Sequence, residues 1–130
     1  MDRRTFMTAG AWCPVAAAGV SGVWPWLAQA AVEPGTIAVV DTTLARGAEF
    51  ARHLARMNVP VLDTGDDIGT LWYATLAPRL AQTPASLIGL TRASDYFVLR
   101  QLATRGGLMI EHSRERSVDA AFVLTPRRVR

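Results

Sequence analysis

The stretch Thr36-Ile37-Ala38-Val39-Val40-Asp41 is a continuous run of apolar and β-branched residues that ends in a carboxylate. A strand with one face in water alternates apolar and polar residues, whereas a strand covered on both faces reads as an unbroken apolar run. Strands of the second kind belong to parallel sheets that have helices on both sides. The stretch therefore predicts the first strand of an α/β fold.

The chain that follows alternates between helical and extended patterns. Apolar residues at positions 44–57 recur at spacings of three and four, which predicts an amphipathic helix with Thr43 as its N-cap. Later helices are predicted to be capped by Asp66 or Asp67 and by Ser94. The predicted strands are residues 36–40, 59–62, 86–90, 108–110 and 120–124, and the predicted helices are residues 44–57, 68–80 and 95–105, the second of them ended or kinked by Pro78.

Alternating strands and helices indicate a parallel sheet with right-handed crossovers. We expect a small three-layer α/β/α fold, a Rossmann-like or flavodoxin-like parallel sheet of four to five strands, with the fifth strand at an edge. If the strand order is 2-1-3-4, a crevice opens between strands one and three. The domain is expected to span residues 36–125, after a linker at 31–35 and before a basic tail at 126–130.

The first thirty residues have a different character. Asp2-Arg3-Arg4-Thr5-Phe6-Met7 opens the chain, and no charged residue occurs from Thr5 to Val32. This stretch resembles a twin-arginine (Tat) signal peptide, whose pattern is a polar residue, two arginines, any residue, Phe and an apolar residue. The resemblance implies that Arg3, Arg4 and Phe6 form the export signal.

A cleavage site is expected at the end of this segment. Ala28-Gln29-Ala30 places small residues at the two specificity positions of a signal peptidase, so cleavage is predicted between Ala30 and Ala31. The Tat translocase and the signal peptidase are then partners in transit, and the product is periplasmic or extracytoplasmic with no membrane span. The alternative is a chain anchored by an uncleaved signal, since residues 5–32 are long enough to cross a bilayer.

Composition excludes several kinds of chemistry from the exported part. Cys13, the one cysteine, precedes the predicted cleavage point, which leaves no thiol for a disulfide, a metal or a nucleophile. All fourteen basic residues of the Lys and Arg count are arginines, and the net charge of +3 is modest. Since no aromatic residues alternate with the arginines near the C-terminus, we expect no nucleic-acid partner.

The carboxyl ends of the predicted strands carry the candidate binding site. In a parallel sheet these ends meet at one edge, beside the N-termini of the following helices. We expect Arg92 to hold a small anionic ligand, a carboxylate or phosphate, and Asp41 and Asp63 to accept hydroxyl groups of the ligand. Helix capping alone is the alternative explanation for polar residues at such an edge. The candidate ligand-binding residues are Asp41, Thr42, Asp63, Gly65, Thr91, Arg92, Glu111 and His112.

Catalysis by this cluster is the competing hypothesis. A small hydrolase or transferase would use Ser94 or Ser113 as nucleophile, His112 as base, and Asp63 or Asp41 to orient the base. No Gly-x-Ser-x-Gly elbow and no Gly-x-Gly-x-x-Gly loop occurs, so we assign no catalytic residue and no nucleotide cofactor. With two histidines in the chain, no metal site is assigned either.

Residues 65–102 are similar to a group of small bacterial proteins exported by the Tat route. The similarity lies in Gly65-Asp66, Leu71-Trp72-Tyr73, Pro78-Arg79 and Gly89-Leu90-Thr91. It covers less than half of the chain and implies no activity. The sequence thus favours a non-catalytic binding or accessory module that serves a ligand or an exported partner protein.

Overall fold

The computed structural model describes residues 25–65 and 67–127 as a mixed α/β protein with one five-stranded open sheet. The strands are β1 (Ile37–Val40), β2 (Val61–Asp63), β3 (Leu87–Arg92), β4 (Leu108–Glu115) and β5 (Asp119–Pro126). The helices are α1 (Pro25–Ala31), α2 (Ala45–Arg56), α3 (Ile68–Leu71), α4 (Ala77–Gln82) and α5 (Ala93–Arg105), with a π-helical turn at Trp72–Leu76 between α3 and α4.

The sheet order is β2-β1-β3-β5-β4. β1 pairs in parallel with both β2 and β3, which is the arrangement of the first three strands that the crevice hypothesis requires. The remaining pairs, β3 with β5 and β5 with β4, are antiparallel, so the sheet is only partly parallel.

The predicted edge position of the last strand is wrong. β4 and β5 are joined by a short turn, so they pair as a hairpin, and β5 lies between β3 and β4. Residues 119–124 of β5 are buried, as expected of an interior strand, whereas β4 is exposed from Met109 to Glu115. β4 is the edge, and its charged residues discourage pairing with another sheet.

Helices cover both faces of the sheet, and successive strand residues point to opposite faces. One core contains Val39 and Phe122 packed against Trp72 of the π turn and Tyr96 of α5. The other core contains Val40 and Ile88 packed against Phe50 and Leu54 of α2 and Leu27 of α1. The predicted layering of helix, sheet and helix is therefore present in the described residues.

Pro78 neither ends nor kinks the second helical segment in the way that the sequence predicts. The segment continues from Ile68 to Gln82, and the backbone widens into a π turn just before the proline. There the Ala77 N–H donates to the Trp72 carbonyl, five residues back. Proline has no N–H and its ring crowds the preceding turn, so a wider turn lets the helix pass through it.

Two of the three predicted helix caps are wrong. α2 begins after Leu44, and Thr43 instead donates its hydroxyl to Asp41. α5 begins after Arg92, which places Ser94 inside the first helical turn. Asp67 does cap α3, since its carboxylate accepts from the backbone N–H of Gly69 and Thr70.

α1 crosses the predicted cleavage point. It packs on the sheet, with Leu27 fully buried and Ala31 2% exposed. Arg3, Arg4 and Phe6 lie outside the described residues, as do positions 128–130 of the tail, and both the export signal and its cleavage stay predictions. In the part of the chain from 25 to 127 that is described, no helix has the length and apolarity to cross a bilayer.

Candidate functional site

Six of the eight predicted site residues lie at one edge of the sheet. β1, β2 and β3 run in the same direction, so their carboxyl ends meet there. β1 is adjacent to both other strands, and the segments that leave β1 and β2 cross on opposite faces of the sheet. In sheets with this arrangement, ligands bind in the crevice between the ends of two such strands, which here are β1 and β3. The six residues are Asp41, Thr42, Asp63, Gly65, Thr91 and Arg92.

Asp41 and Arg92 form an ion pair across this crevice. The Arg92 Nε lies 3.1 Å from Oδ2 of Asp41, whose side chain is 3% exposed while that of Arg92 is 57% exposed. The other carboxylate oxygen of Asp41 accepts from the backbone N–H of Thr43 at 2.9 Å and from the Thr43 hydroxyl. A buried carboxylate is stable only with such partners, so Asp41 positions Arg92, and its burial keeps it from contacting a ligand.

Asp63, in contrast, is exposed at the end of β2. Its two oxygens accept from the Thr42 hydroxyl, at 2.5 Å, and from the Gly65 N–H, at 3.3 Å. The Thr42 hydrogen bond, with smaller contributions from backbone N–H groups, lowers the pKa of Asp63 below its ordinary value. A carboxylate has about four acceptor positions, so Asp63 retains capacity for ligand hydroxyl groups.

Two threonine hydroxyls at this edge are buried. Thr91 is fully buried and donates to the Arg92 carbonyl at 3.0 Å. Thr64 is 3% exposed, and its hydroxyl has no hydrogen-bond partner in the described part of the chain. Thr64 also lines a shallow pocket together with Gly65 and Asp67.

The sequence analysis missed a second set of charges at the same edge. Asp119 begins β5, directly across from Arg92 in the antiparallel pair. It is nearly buried and pairs with Arg46, at 3.4 Å, and with Arg116, at 3.7 Å. No sequence pattern places Asp119 there, because its position depends on β5 inserting next to β3.

Asp95 also belongs to this group of charges. Burial raises the pKa of Asp95, and the negative charges of Asp41 and Asp67 act in the same direction, while Arg92 partly offsets them. The carboxylates of Asp41 and Asp95 therefore offset part of the positive charge of Arg92.

Glu111 and His112 are not at this edge, which corrects their predicted position. β4 continues to Glu115, so both residues lie in the middle of the strand. Ile110 pairs with Leu124 and His112 pairs with Val123, which makes Glu111 the extra residue of a β-bulge. The His112 ring stacks on Trp26 of α1, with ring centroids 5.2 Å apart. Both residues line a cleft of about 370 Å³ under α1, with Gln29, Glu33, Ser86 and Thr125 among its other lining residues.

This position removes the proposed catalytic triads. Asp63 is on β2 and His112 on β4, four strand spacings or roughly 19 Å apart. Both His112 and Ile88 pair with Val123, so His112 is at the position of Ile88 in the direction of the strands. From there to the end of β3, just before Ser94, is about 13 Å in that direction. A hydrogen-bonded set of Ser94, His112 and Asp63 is therefore excluded. Among residues 25–65 and 67–127, no three His, Cys, Asp or Glu side chains are grouped to hold a metal ion.

Comparison of the chain with protein-family models, with curated proteins and with solved structures finds no match.

Proposed function

We propose that the protein is a small exported binding module that holds a ligand with a carboxylate or phosphate group at Arg92. The single observation that carries this proposal is the Arg92–Asp41 ion pair at the mouth of the β1/β3 crevice. Asp41 holds the exposed guanidinium of Arg92 through the Nε atom. Among the described residues, nothing else hydrogen-bonds to its two terminal nitrogens.

The geometry around Arg92 supports an anionic group on the ligand. Two parallel N–H donors of a guanidinium match the two oxygens of a carboxylate or phosphate. Arg92 also immediately precedes α5, a helix of 13 residues, whose first N–H groups add a partial positive charge. Pre-positioning by Asp41 reduces the entropy lost when a ligand binds.

The remaining part of the edge suits hydroxyl groups of the same ligand. Asp63 is exposed and has free acceptor positions. The carboxylates of Asp41 and Asp95 near Arg92 disfavour a purely anionic ligand, because each repels its negative charge. A ligand that combines one anionic group with several hydroxyl groups, such as a sugar phosphate, satisfies both conditions.

The proposed fold relation is Rossmann-like or flavodoxin-like over β2-β1-β3. The crevice beside β1 is the place where ligands bind in such sheets, which supports the choice of site.

The proposed route is Tat export to the periplasm, on the strength of Arg3, Arg4 and Phe6. In that compartment the module serves a larger exported system as ligand carrier or accessory protein. The alternative of a small hydrolase or transferase stays a prediction, and no contact among the described residues favours it.

The test is a titration of the ¹⁵N-labelled chain followed by amide chemical shifts. The probes are inorganic phosphate and glucose 6-phosphate. We expect shifts at residues 91–96 with both probes and at 63–65 with the sugar phosphate alone. Arg92→Gln should weaken the binding of both probes at least tenfold, and Asp63→Asn should weaken only the binding of glucose 6-phosphate.

Arg105→Gln is the matched control, because Arg105 is exposed at the far end of the same helix. Shifts that persist unchanged in Arg92→Gln, or that are lost equally in Arg105→Gln, contradict the proposed site.

A further inference from the structure

The predicted signal-peptidase site lies inside folded structure. α1 spans Pro25–Ala31, so Ala28, Ala30 and Ala31 are helical residues. Leu27 is fully buried, in the core that also contains Phe50 of α2 and Ile88 of β3. Residues on both sides of the Ala30–Ala31 bond are therefore anchored to the domain.

The bond itself is held by hydrogen bonds. The Ala30 carbonyl oxygen accepts from the Glu33 N–H, at 3.2 Å, and from the Thr36 hydroxyl, at 3.3 Å. The Thr36 hydroxyl also lies 2.8 Å from the Glu33 carbonyl, which ties the turn after α1 to the start of β1. The carbonyl that a peptidase would have to polarise is thus already bonded within the fold.

A serine-type peptidase needs the opposite arrangement. Its oxyanion hole must bind the scissile carbonyl, and the small residues on the amino side must enter its specificity pockets. A docked helix satisfies neither condition until it detaches, so the cleavage rate follows the small fraction of open molecules. Burial of Leu27 and the two hydrogen bonds at Ala30 keep that fraction low.

We propose that folding of the domain protects the Ala30–Ala31 bond, so that the exported chain keeps Pro25–Ala31 as its first structural element. This inference rests on the proposed Tat export, since that route carries proteins that fold before they are translocated. The chain then remains joined to the segment before Pro25, or is cut upstream of it. The His112–Trp26 stack and the cleft under α1 persist in the functional protein for the same reason.

Digestion of the purified full-length chain by a bacterial signal peptidase in detergent tests the proposal. The folded chain and a chain unfolded in urea and diluted just before digestion are compared, with intact mass as the readout. We expect cleavage between Ala30 and Ala31 to be at least tenfold slower in the folded chain. Equal rates overturn the proposal.

Two variants give a matched comparison. Leu27→Asp places a charge at the buried position and detaches α1, and we expect it to restore rapid cleavage of the folded chain. Gln29→Glu adds the same charge at an exposed position of the same helix and stays resistant when folded, and both variants should be cleaved rapidly after unfolding in urea, which shows that neither charge blocks the peptidase itself. Equal resistance of Leu27→Asp and Gln29→Glu, with amide dispersion showing both folded, overturns the proposal. If Leu27→Asp does not fold, the comparison of folded and urea-treated wild type decides.

Export is tested separately, by determining the first residue of the extracytoplasmic chain isolated from cells. We expect the extracytoplasmic wild-type chain to begin at or before Pro25, and a chain that begins at Ala31 overturns the proposal. Arg3→Lys with Arg4→Lys should abolish export. A wild-type chain that is never exported contradicts the export proposal alone, because the digestion of purified chain still measures protection.

Discussion

Arg92 and Asp41 illustrate what single residues contribute to this site. The sequence predicts both at the strand ends, because each follows an apolar run. It predicts both as ligand contacts, whereas the structure buries Asp41 and uses it to hold Arg92. Partners such as Thr43 for Asp41 and Arg46 for Asp119 depend on side-chain geometry, which no spacing rule supplies.

Thr42→Val should raise the pKa of Asp63 toward its ordinary value, because the Thr42 hydroxyl is the main cause of the lowered pKa. A lowered folded-state pKa stabilises the fold above the unfolded pKa, and this contribution is lost as pH falls through the folded pKa. The variant should therefore lose stability near neutral pH and differ less from wild type in acid. Carboxyl ¹³C shifts against pH measure the pKa. An unchanged Asp63 titration in Thr42→Val would show that the hydrogen bond has no effect.

Asp95→Asn should show the reverse dependence on pH. Burial raises the pKa of Asp95, so the ionised form costs stability, and this cost appears as pH rises above the unfolded value near 3.8. The variant should gain stability relative to wild type between acid and neutral pH. Urea unfolding at pH 3 and pH 7 measures the difference. A variant that is less stable than wild type at pH 7 contradicts this reasoning.

Elements with local sequence signals were predicted well, and elements that depend on distant pairing were not. β1, α2 and the parallel direction of the first three strands follow from apolar periodicity and alternation, whereas the order of these strands does not. The β4–β5 hairpin was misplaced because an interior antiparallel strand and a buried parallel strand read alike. The unbroken apolar run in β5 was the available signal that this strand lies in the interior. Because β4 pairs with β5 along its whole length, Glu111 and His112 lie within β4 and not at the site.

Gly47→Ala tests how closely α2 approaches β1. Alanine normally stabilises a helix over glycine by about 1 kcal/mol. A Cβ at Gly47, however, would lie within van der Waals radii of the Asp41 carbonyl oxygen, so the helix must shift. We expect a loss of about 1 to 3 kcal/mol in the free energy of unfolding, measured by urea denaturation. Ala55→Gly, at an exposed position of α2, is the control and should lose about 1 kcal/mol from propensity alone. A more stable Gly47→Ala would contradict the close approach.

For the whole molecule, the start of the folded domain depends on α1, which contains the predicted cleavage site. Ala28-Gln29-Ala30 fits a cleavage motif, yet α1 also completes the core over β3 and β5. A local motif and a tertiary contact compete for the same residues, and sequence analysis detects only the motif. The extent of the folded domain therefore depends on α1.

Leu27→Ala should destabilise the full-length chain if α1 is part of the fold. The side chain is fully buried, and removing such a leucine costs about 2 to 5 kcal/mol through lost burial and the cavity that remains. Thermal or urea unfolding of the full-length protein measures the loss. Val32→Ala, at an exposed position just after α1, is the control and should change stability little. Equal stability of Leu27→Ala and wild type would mean that α1 is not docked.

Native mass spectrometry of the protein released from its own host shows whether a ligand is bound at Arg92. We expect a chain with the added mass of one small ligand that contains a carboxylate or phosphate, and loss of that mass in Arg92→Gln. A bare polypeptide mass in both wild type and Arg92→Gln, or an added mass that both retain, would contradict ligand binding at Arg92.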